Sequence, residues 1–119
     1  MVINILVPAL HLDIDSAVPL GLIMNELLSN SFKYAFNEDV AGEINIEIRS
    51  VAEGRYELMY SDNGPGLPSS FEPGRATTLG IQLIADLSRQ IGGNVKYEYK
   101  KGASFIITFT DRDFRKNQD

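Results

Sequence analysis

Polar and apolar side chains alternate without a break along residues 43–51 (EINIEIRSV), so Ile44, Ile46 and Ile48 share one face of a strand. Glu53-Gly54 supplies turn chemistry, and residues 55–61 (RYELMYS) read as the returning strand of a hairpin. Upstream, residues 2–7 (VINILV) are a β-rich apolar run stopped by Pro8, and residues 10–14 (LHLDI) alternate as a short strand. The period then lengthens. From Val18 to Phe36 the apolar positions recur at helical spacing, with Asp15 or Ser16 available as a cap and Pro19 suited to the first turn. A second helical pattern covers Leu79 to Ile91, with Leu83, Ile84, Leu87 and Ile91 on one side. Gly92-Gly93 offers the left-handed backbone that ends such a helix. Residues 94–100 and 103–110 form a second hairpin about Lys101-Gly102.

The predicted order is β-β-α-β-β-α-β-β. It implies an α/β (α+β) two-layer sandwich, a mixed, mostly antiparallel sheet with helices on one face. A chain of 119 residues allows one such domain, residues 1–110, and the polar run 111–119 is expected to fray as a tail. Residues 62–78 hold three Pro and three Gly, too long a segment for a tight turn and of the kind that carries function.

Composition narrows the chemistry. The hydrophobic share of 44% is that of a globular protein. A net charge of -5 disfavours nucleic acid and anionic membranes as partners. The absence of Cys excludes disulfides, thiol nucleophiles and Cys-ligated metals, and fits a reducing compartment. A single His, His11 on the expected short strand, speaks against His-rich metal sites and His-based triads. Met1 to Val7 lacks the basic flank and cleavage site of a signal peptide, and no run approaches the roughly 18 apolar residues of a membrane helix. A cytoplasmic location without membrane contact is the expectation.

The first helix has two chemical sides. At about 100° per residue, with Glu26 set at zero, Asn30 falls at about 40°, Lys33 at about -20°, Tyr34 at about 80° and Asn37 at about 20°. Leu20, Met24, Leu27, Leu28 and Ala35 cluster between about 100° and 200°, the expected buried stripe. An interior Asn30 has no local stability rationale in a helix. A carboxylate, an amide and an ammonium on one face can together hold a hard cation and a polyanion. As an ordinary solvated face, the same residues would do nothing.

Asp62 closes a β-rich run and opens Asp62-Asn63-Gly64-Pro65-Gly66, so its carboxylate stands at a strand end beside irregular backbone. The long segment after it closes on Thr77-Thr78-Leu79-Gly80 at a helix start, where free N–H groups and the positive end of the helix dipole suit phosphate. Neither GxxxxGK[ST] nor GxGxxG occurs.

In this order, the pieces resemble the ATP-binding domain of sensor histidine kinases, of the gyrase/chaperone/kinase/mismatch-repair ATPase superfamily with its Bergerat fold. NELLSNSFKYAF (25–36) is similar to the N box, DNGPG (62–66) to the first Gly box, TLGIQLI (78–84) to the second and GGNVKYEYKKGASFIITF (92–109) to the terminal hairpin. The resemblance implies Mg²⁺ on Asn30, phosphate on Lys33, and adenine beside Tyr34 with its amino group on Asp62. It also implies a pocket shaped by Gly64 and Gly66, and backbone N–H groups around Thr78, Leu79 and Gly80 for phosphate. Glu26 takes the place of a water-activating base in some relatives and of a metal- or phosphate-positioning group in kinases. The implied activity is transfer of the ATP γ-phosphate to a histidine on a separate dimerisation and phosphoacceptor domain, and from there to a response regulator. His11 is ill placed as that acceptor, so the chain is not expected to phosphorylate itself.

Two departures stand out. Gly102-Ala103 replaces the usual Gly-Thr, so that a hydroxyl near adenine is either lost or supplied by neighbouring Ser104. The loop between the Gly boxes is short, with no F box recognisable beyond Phe71. A superfamily ATP hydrolase, an anti-sigma-type serine kinase and a non-catalytic interaction module are the alternatives.

Overall fold

The computed structural model describes residues 2–8, 12–32, 42–64, 79–99 and 102–111. Five strands and two helices follow one another along the described chain. They are β1 (Val2–Leu6), α1 (Ile14–Asn30), β2 (Glu43–Ala52), β3 (Arg55–Asp62), α2 (Leu79–Gln90), β4 (Asn94–Tyr99) and β5 (Ala103–Thr110). The strands lie in one sheet of order β1-β2-β3-β5-β4. β1 runs parallel to β2, and every other pairing is antiparallel. This is the mixed, mostly antiparallel two-layer sandwich that the hydrophobic pattern predicts.

Period-two alternation makes the core. Ile44, Ile46 and Ile48 of β2, Leu58 and Tyr60 of β3, and Phe105, Ile107 and Phe109 of β5 all point to the helical side and are buried. Leu20, Ile23 and Leu27 of α1 and Ile84 and Leu87 of α2 close over them. Phe109 stacks on Tyr56 with ring centroids 5.4 Å apart, and Tyr97 packs against Phe105 at 5.0 Å. The edge strand β1 lies beyond this cover, and Val2, Ile3, Ile5 and Leu6 are exposed.

The described end of α2 confirms the glycine reading. Gly92 has φ 73°, its N–H bonds to the Arg89 carbonyl at 3.0 Å, and the Gly93 N–H reaches the Ser88 carbonyl at 2.9 Å. That pair of bonds is the Schellman closure of a helix.

Three expectations need correction. The short strand over residues 10–14 is not formed at its described end: Ile14 already belongs to α1, and Leu12 and Asp13 are irregular. α1 therefore starts before Val18. Its cap is Asp13, whose carboxylate accepts from the Asp15 N–H at 2.8 Å while its carbonyl takes the Ser16 and Ala17 N–H groups. Pro19 then lies one turn further in than expected, inside the helix, which continues past it. The buried stripe also differs. Ser16, Pro19, Leu20, Ile23 and Leu27 are buried, whereas Met24 and Leu28 are only half-buried. With Glu26 again at zero, the covered arc runs from about 20° to about 120°, because α1 packs against α2 as well as the sheet. Glu26 thus borders the buried stripe and Asn30, at about 40°, falls within it; both are half-buried. They are not an ordinary solvated face.

The first residue of the expected tail is anchored. The Asp111 N–H bonds to the Gly54 carbonyl at 2.9 Å, and its carboxylate accepts from the Asp13 N–H at 3.2 Å. Residues 112–119 lie outside the described residues.

Ile23→Ala removes a fully buried side chain where α1 meets the sheet, and is expected to cost about 3 kcal/mol of unfolding free energy. Urea titration measures the cost, and exposed Val51→Ala is the control, with a change within about 0.5 kcal/mol.

Candidate functional site

The site grows from the end of β3. Because side chains alternate along that strand, Leu58, Tyr60 and Asp62 all face the helices, and the last of them is a carboxylate only 8% exposed. A buried carboxylate is costly unless donors surround it. Asp62 has three. Oδ1 accepts from the Gly64 N–H at 3.1 Å and the Ala103 N–H at 3.2 Å. Oδ2 accepts from the Ser31 hydroxyl at 2.7 Å. The Ser31 Oγ lies 2.7 Å from the Tyr60 hydroxyl in turn. All three side chains are buried.

Backbone geometry holds this arrangement. Ser31 keeps helical φ and ψ at the end of α1, falls on the buried side of that helix, and its hydroxyl reaches the sheet there. Gly102, at φ 145°, lets the β4–β5 turn close on the Asp62 carbonyl, where any Cβ would collide. The Asn63 side chain accepts from the Glu43 N–H at 2.9 Å, tying the first residue after β3 to the start of β2.

Tyr60 feels this surrounding. Burial pushes its hydroxyl up to about 12; the Ser31 hydroxyl pulls it down, and the negative charge of Asp62 pushes it up again.

Glu26 and Asn30 lie on the same stretch of α1. The Glu26 carboxylate stands over the start of α2, so that a Cβ on Gly80 would come within 2.5 Å of its Oε2. The first N–H groups of a helix have no intrahelical partner and attract negative charge, and Glu26 is the carboxylate at that place. One turn on, the Asn30 Nδ2 is buried and has no hydrogen-bond partner among the described residues. A buried, unpartnered amide is rare in a folded protein and fits a polar ligand.

Of the residues expected from sequence, Glu26, Asn30, Asp62, Gly64 and Gly80 are brought together, with Leu79 beside Gly80 at the first turn of α2. Lys33, Tyr34, Gly66, Thr78, Phe71 and His11 lie outside the described residues. One expectation is corrected. Ser104 pairs with Ser61 on the opposite face of the sheet, beside Met59 and Ile106, and supplies no hydroxyl to Asp62. Ser31 supplies it instead. Sequence reasoning passed over Ser31, Tyr60 and the Ala103 N–H. The first two were open to it: Ser31 adjoins Asn30, and Tyr60 shares the face of Asp62 by strand period.

A strand-end carboxylate, a helix end bearing an unpartnered amide and a helix start meet over one face of an α/β sandwich, and this is the Bergerat class of fold. Residues 15–113 match the family described as Histidine kinase-, DNA gyrase B-, and HSP90-like ATPase, and the chain belongs to that family. The sensor histidine kinase PdtaS of Mycobacterium tuberculosis is 31% identical over 86 residues, covering 71% of this chain and 17% of that protein. A polypeptide of type 2 DNA topoisomerase 6 from Methanothermobacter thermautotrophicus is 35% identical over 54 residues, 45% of this chain and 10% of its own length. Among solved structures, the histidine kinase domain of the Erythrobacter litoralis EL346 blue-light activated histidine kinase superposes with a TM-score of 0.83. That match has 19% identity and covers 97% of this chain and 54% of that one. At that identity the likeness concerns the fold. The chain spans well under two thirds of each of these proteins.

Two measurements probe the local architecture. Gly102→Ala forces a side chain into a backbone contact and a left-handed conformation, and is expected to lower stability by about 2 kcal/mol or more in urea unfolding. The pH dependence follows from Tyr60. The unfolded chain releases that proton near 10 and the folded chain holds it to about 12. The contribution is complete below pH 10 and is lost as pH rises toward 12. Tyr60→Phe is expected to flatten that part of the alkaline stability loss, read as thermal melting from pH 9 to pH 12.

Proposed function

We propose that this chain is the ATP- and Mg²⁺-binding catalytic half of a sensor histidine kinase, supplying the γ-phosphate to a histidine on a separate dimerisation and phosphoacceptor domain. A response regulator then stands downstream of that partner. In this reading residues 1–110 are the ATP-binding unit and 111–119 a polar extension. The observation that carries it is the buried, unpartnered Asn30 amide, one residue from the Ser31 that grips Asp62 and one turn from the Glu26 that faces α2.

The residues present fit such a ligand. Asp62 offers an acceptor, and the start of α2 offers unpaired N–H donors. Among the described residues no three acidic or His groups come together as a metal cluster. Asn30 would therefore hold Mg²⁺ through its amide oxygen with few protein ligands, the rest being phosphate oxygens and water, while its unpartnered Nδ2 would donate to a phosphate oxygen. When bound, Mg·ATP supplies the transferable phosphoryl group and the divalent charge that offsets its anionic character.

The chain's own part is positioning. Asp62 would accept from the exocyclic amino group of adenine and repel the carbonyl that guanine presents there. Leu79 and Gly80 would donate backbone N–H groups to phosphate, with Thr78 beside them. Lys33 would neutralise phosphate charge, Tyr34 would lie along the base, and Gly64 and Gly66 would let the backbone approach it. Glu26 must leave the start of α2 for phosphate to take its place, and would then orient the metal or phosphate. A cytoplasmic location is part of this reading; no described helix is long and apolar enough to cross a membrane. Neither nucleic acid nor membrane is a proposed partner.

Calorimetry with Mg²⁺ and a non-hydrolysable ATP analogue, with the GTP analogue as control, tests this reading. Binding of the adenine compound alone is expected. Asp62→Asn is expected to weaken it about ten-fold or more, and Asn30→Ala to weaken it by a similar factor only when Mg²⁺ is present. Equal affinity for both nucleotides removes the role given to Asp62. Mixed with its His-bearing partner domain and ATP, the chain is expected to label that partner and not itself. Steady phosphate release by the chain alone, abolished in Glu26→Gln, would favour a hydrolase.

A further inference from the structure

We infer that Ser31, held by Tyr60, is the residue that sets the base selectivity of the site, by leaving Asp62 one acceptor position and fixing where it lies. The inference rests on the nucleotide reading above and goes past it to residues that make no contact of their own with the base.

The argument is a count of protons and lone pairs. A serine hydroxyl carries one proton. The Ser31 proton goes to Asp62 Oδ2, so the short contact between Ser31 Oγ and the Tyr60 hydroxyl must be donated by the tyrosine. The chain of bonds therefore has one direction, from Tyr60 through Ser31 to Asp62. Each carboxylate oxygen accepts about two hydrogen bonds. Oδ1 is filled by the Gly64 and Ala103 N–H groups. Among the described residues Oδ2 holds only the Ser31 hydroxyl, and one position on it remains.

A ligand is thus met by a single open acceptor position on Oδ2. An N–H of an amino group completes the set. A carbonyl in the same place finds an oxygen facing an oxygen. Burial makes the difference large, because water cannot mediate. Without the Ser31 hydroxyl, Oδ2 has two open positions and loses its own restraint, so that it can swing about the Oδ1 still held by Gly64 and Ala103. It is then free to turn away from an incoming carbonyl, and the distinction between bases fades. Tyr60 acts one step further back, keeping the serine rotor aimed at Asp62.

The experiment compares ADP with IDP, whose base carries a carbonyl where adenine has the amino group, each with Mg²⁺ by calorimetry. The wild-type chain is expected to prefer ADP. Ser31→Ala is expected to weaken ADP about ten-fold and leave IDP nearly unchanged, so that the ratio collapses. Ser31→Thr restores the hydroxyl and is expected to restore most of the ratio. Tyr60→Phe is expected to fall between, with ADP about three-fold weaker. A merely structural role would weaken both ligands together and leave the ratio alone. Should Ser31→Ala fail to fold, judged by circular dichroism and melting, Tyr60→Phe decides on the same ratio. A wild-type ratio kept in Ser31→Ala, or in Tyr60→Phe where that variant decides, overturns the inference while leaving the nucleotide reading standing. A wild-type chain that binds ADP and IDP equally overturns the base reading itself, and this inference with it.

Discussion

A carboxylate with little access to water has to be satisfied by the protein, and the Asp62 carboxylate draws its donors from three separate parts of the chain. The end of α1, the residues just past β3 and the start of β5 each bring one hydrogen-bond donor to it. None is near another in sequence. Losing any one leaves a buried acceptor short of a partner, a cost comparable to a sizeable share of the stability of a domain this size. The helix, the strand end and the turn are thereby held to one another at the place where a ligand would be read. The same bonds that keep the fold together keep the site in shape.

The rest of the site hangs from that point. α1 is fixed at its far end by Ser31, so the two residues before it on the same helix, Asn30 and Glu26, have defined positions relative to the sheet. α2 packs on α1, and its start comes under the Glu26 carboxylate. Rotation of the buried arc of α1 toward α2 is what draws these polar side chains out of open solvent. An amide or carboxylate at the margin of a covered face is partly stripped of water and interacts more strongly with whatever charge meets it.

Much of the architecture was legible because it rests on short-range rules. Strand alternation in 43–51 and 103–110, the turn at Glu53-Gly54 and the paired glycines after α2 each predict the element that forms. The motifs assigned Asn30, Asp62 and Gly80 to one site by resemblance; in the fold Gly80 lies against Glu26, and Asn30 precedes the Ser31 that bonds Asp62. The misreadings have a common source. The expected strand over 10–14, the late start of α1 and the angular centre of its buried face were judged from local pattern, whereas each is settled by what the segment packs against. Asp13 caps the helix while its own N–H is held by Asp111 from the other end of the domain, a tie no local window contains. The hydroxyl assigned to Ser104 failed for a simpler reason, since strand parity sends that side chain to the face away from Asp62. Ser31 was the reverse case: at about 100° per residue it falls on the buried side of α1, so helical periodicity does register it.

The tie between Asp13 and Asp111 bears on mechanics. The last described residue after β5 is joined through its carboxylate to the backbone at the head of α1, and through its own N–H to the β2–β3 turn. Tension applied where the final strand leaves the sheet is therefore delivered to the opening of the helix that bears Glu26, Asn30 and Ser31. A tug on this domain at that corner travels along a rigid rod, about 25 Å for seventeen residues, into the very groups that would grip a nucleotide.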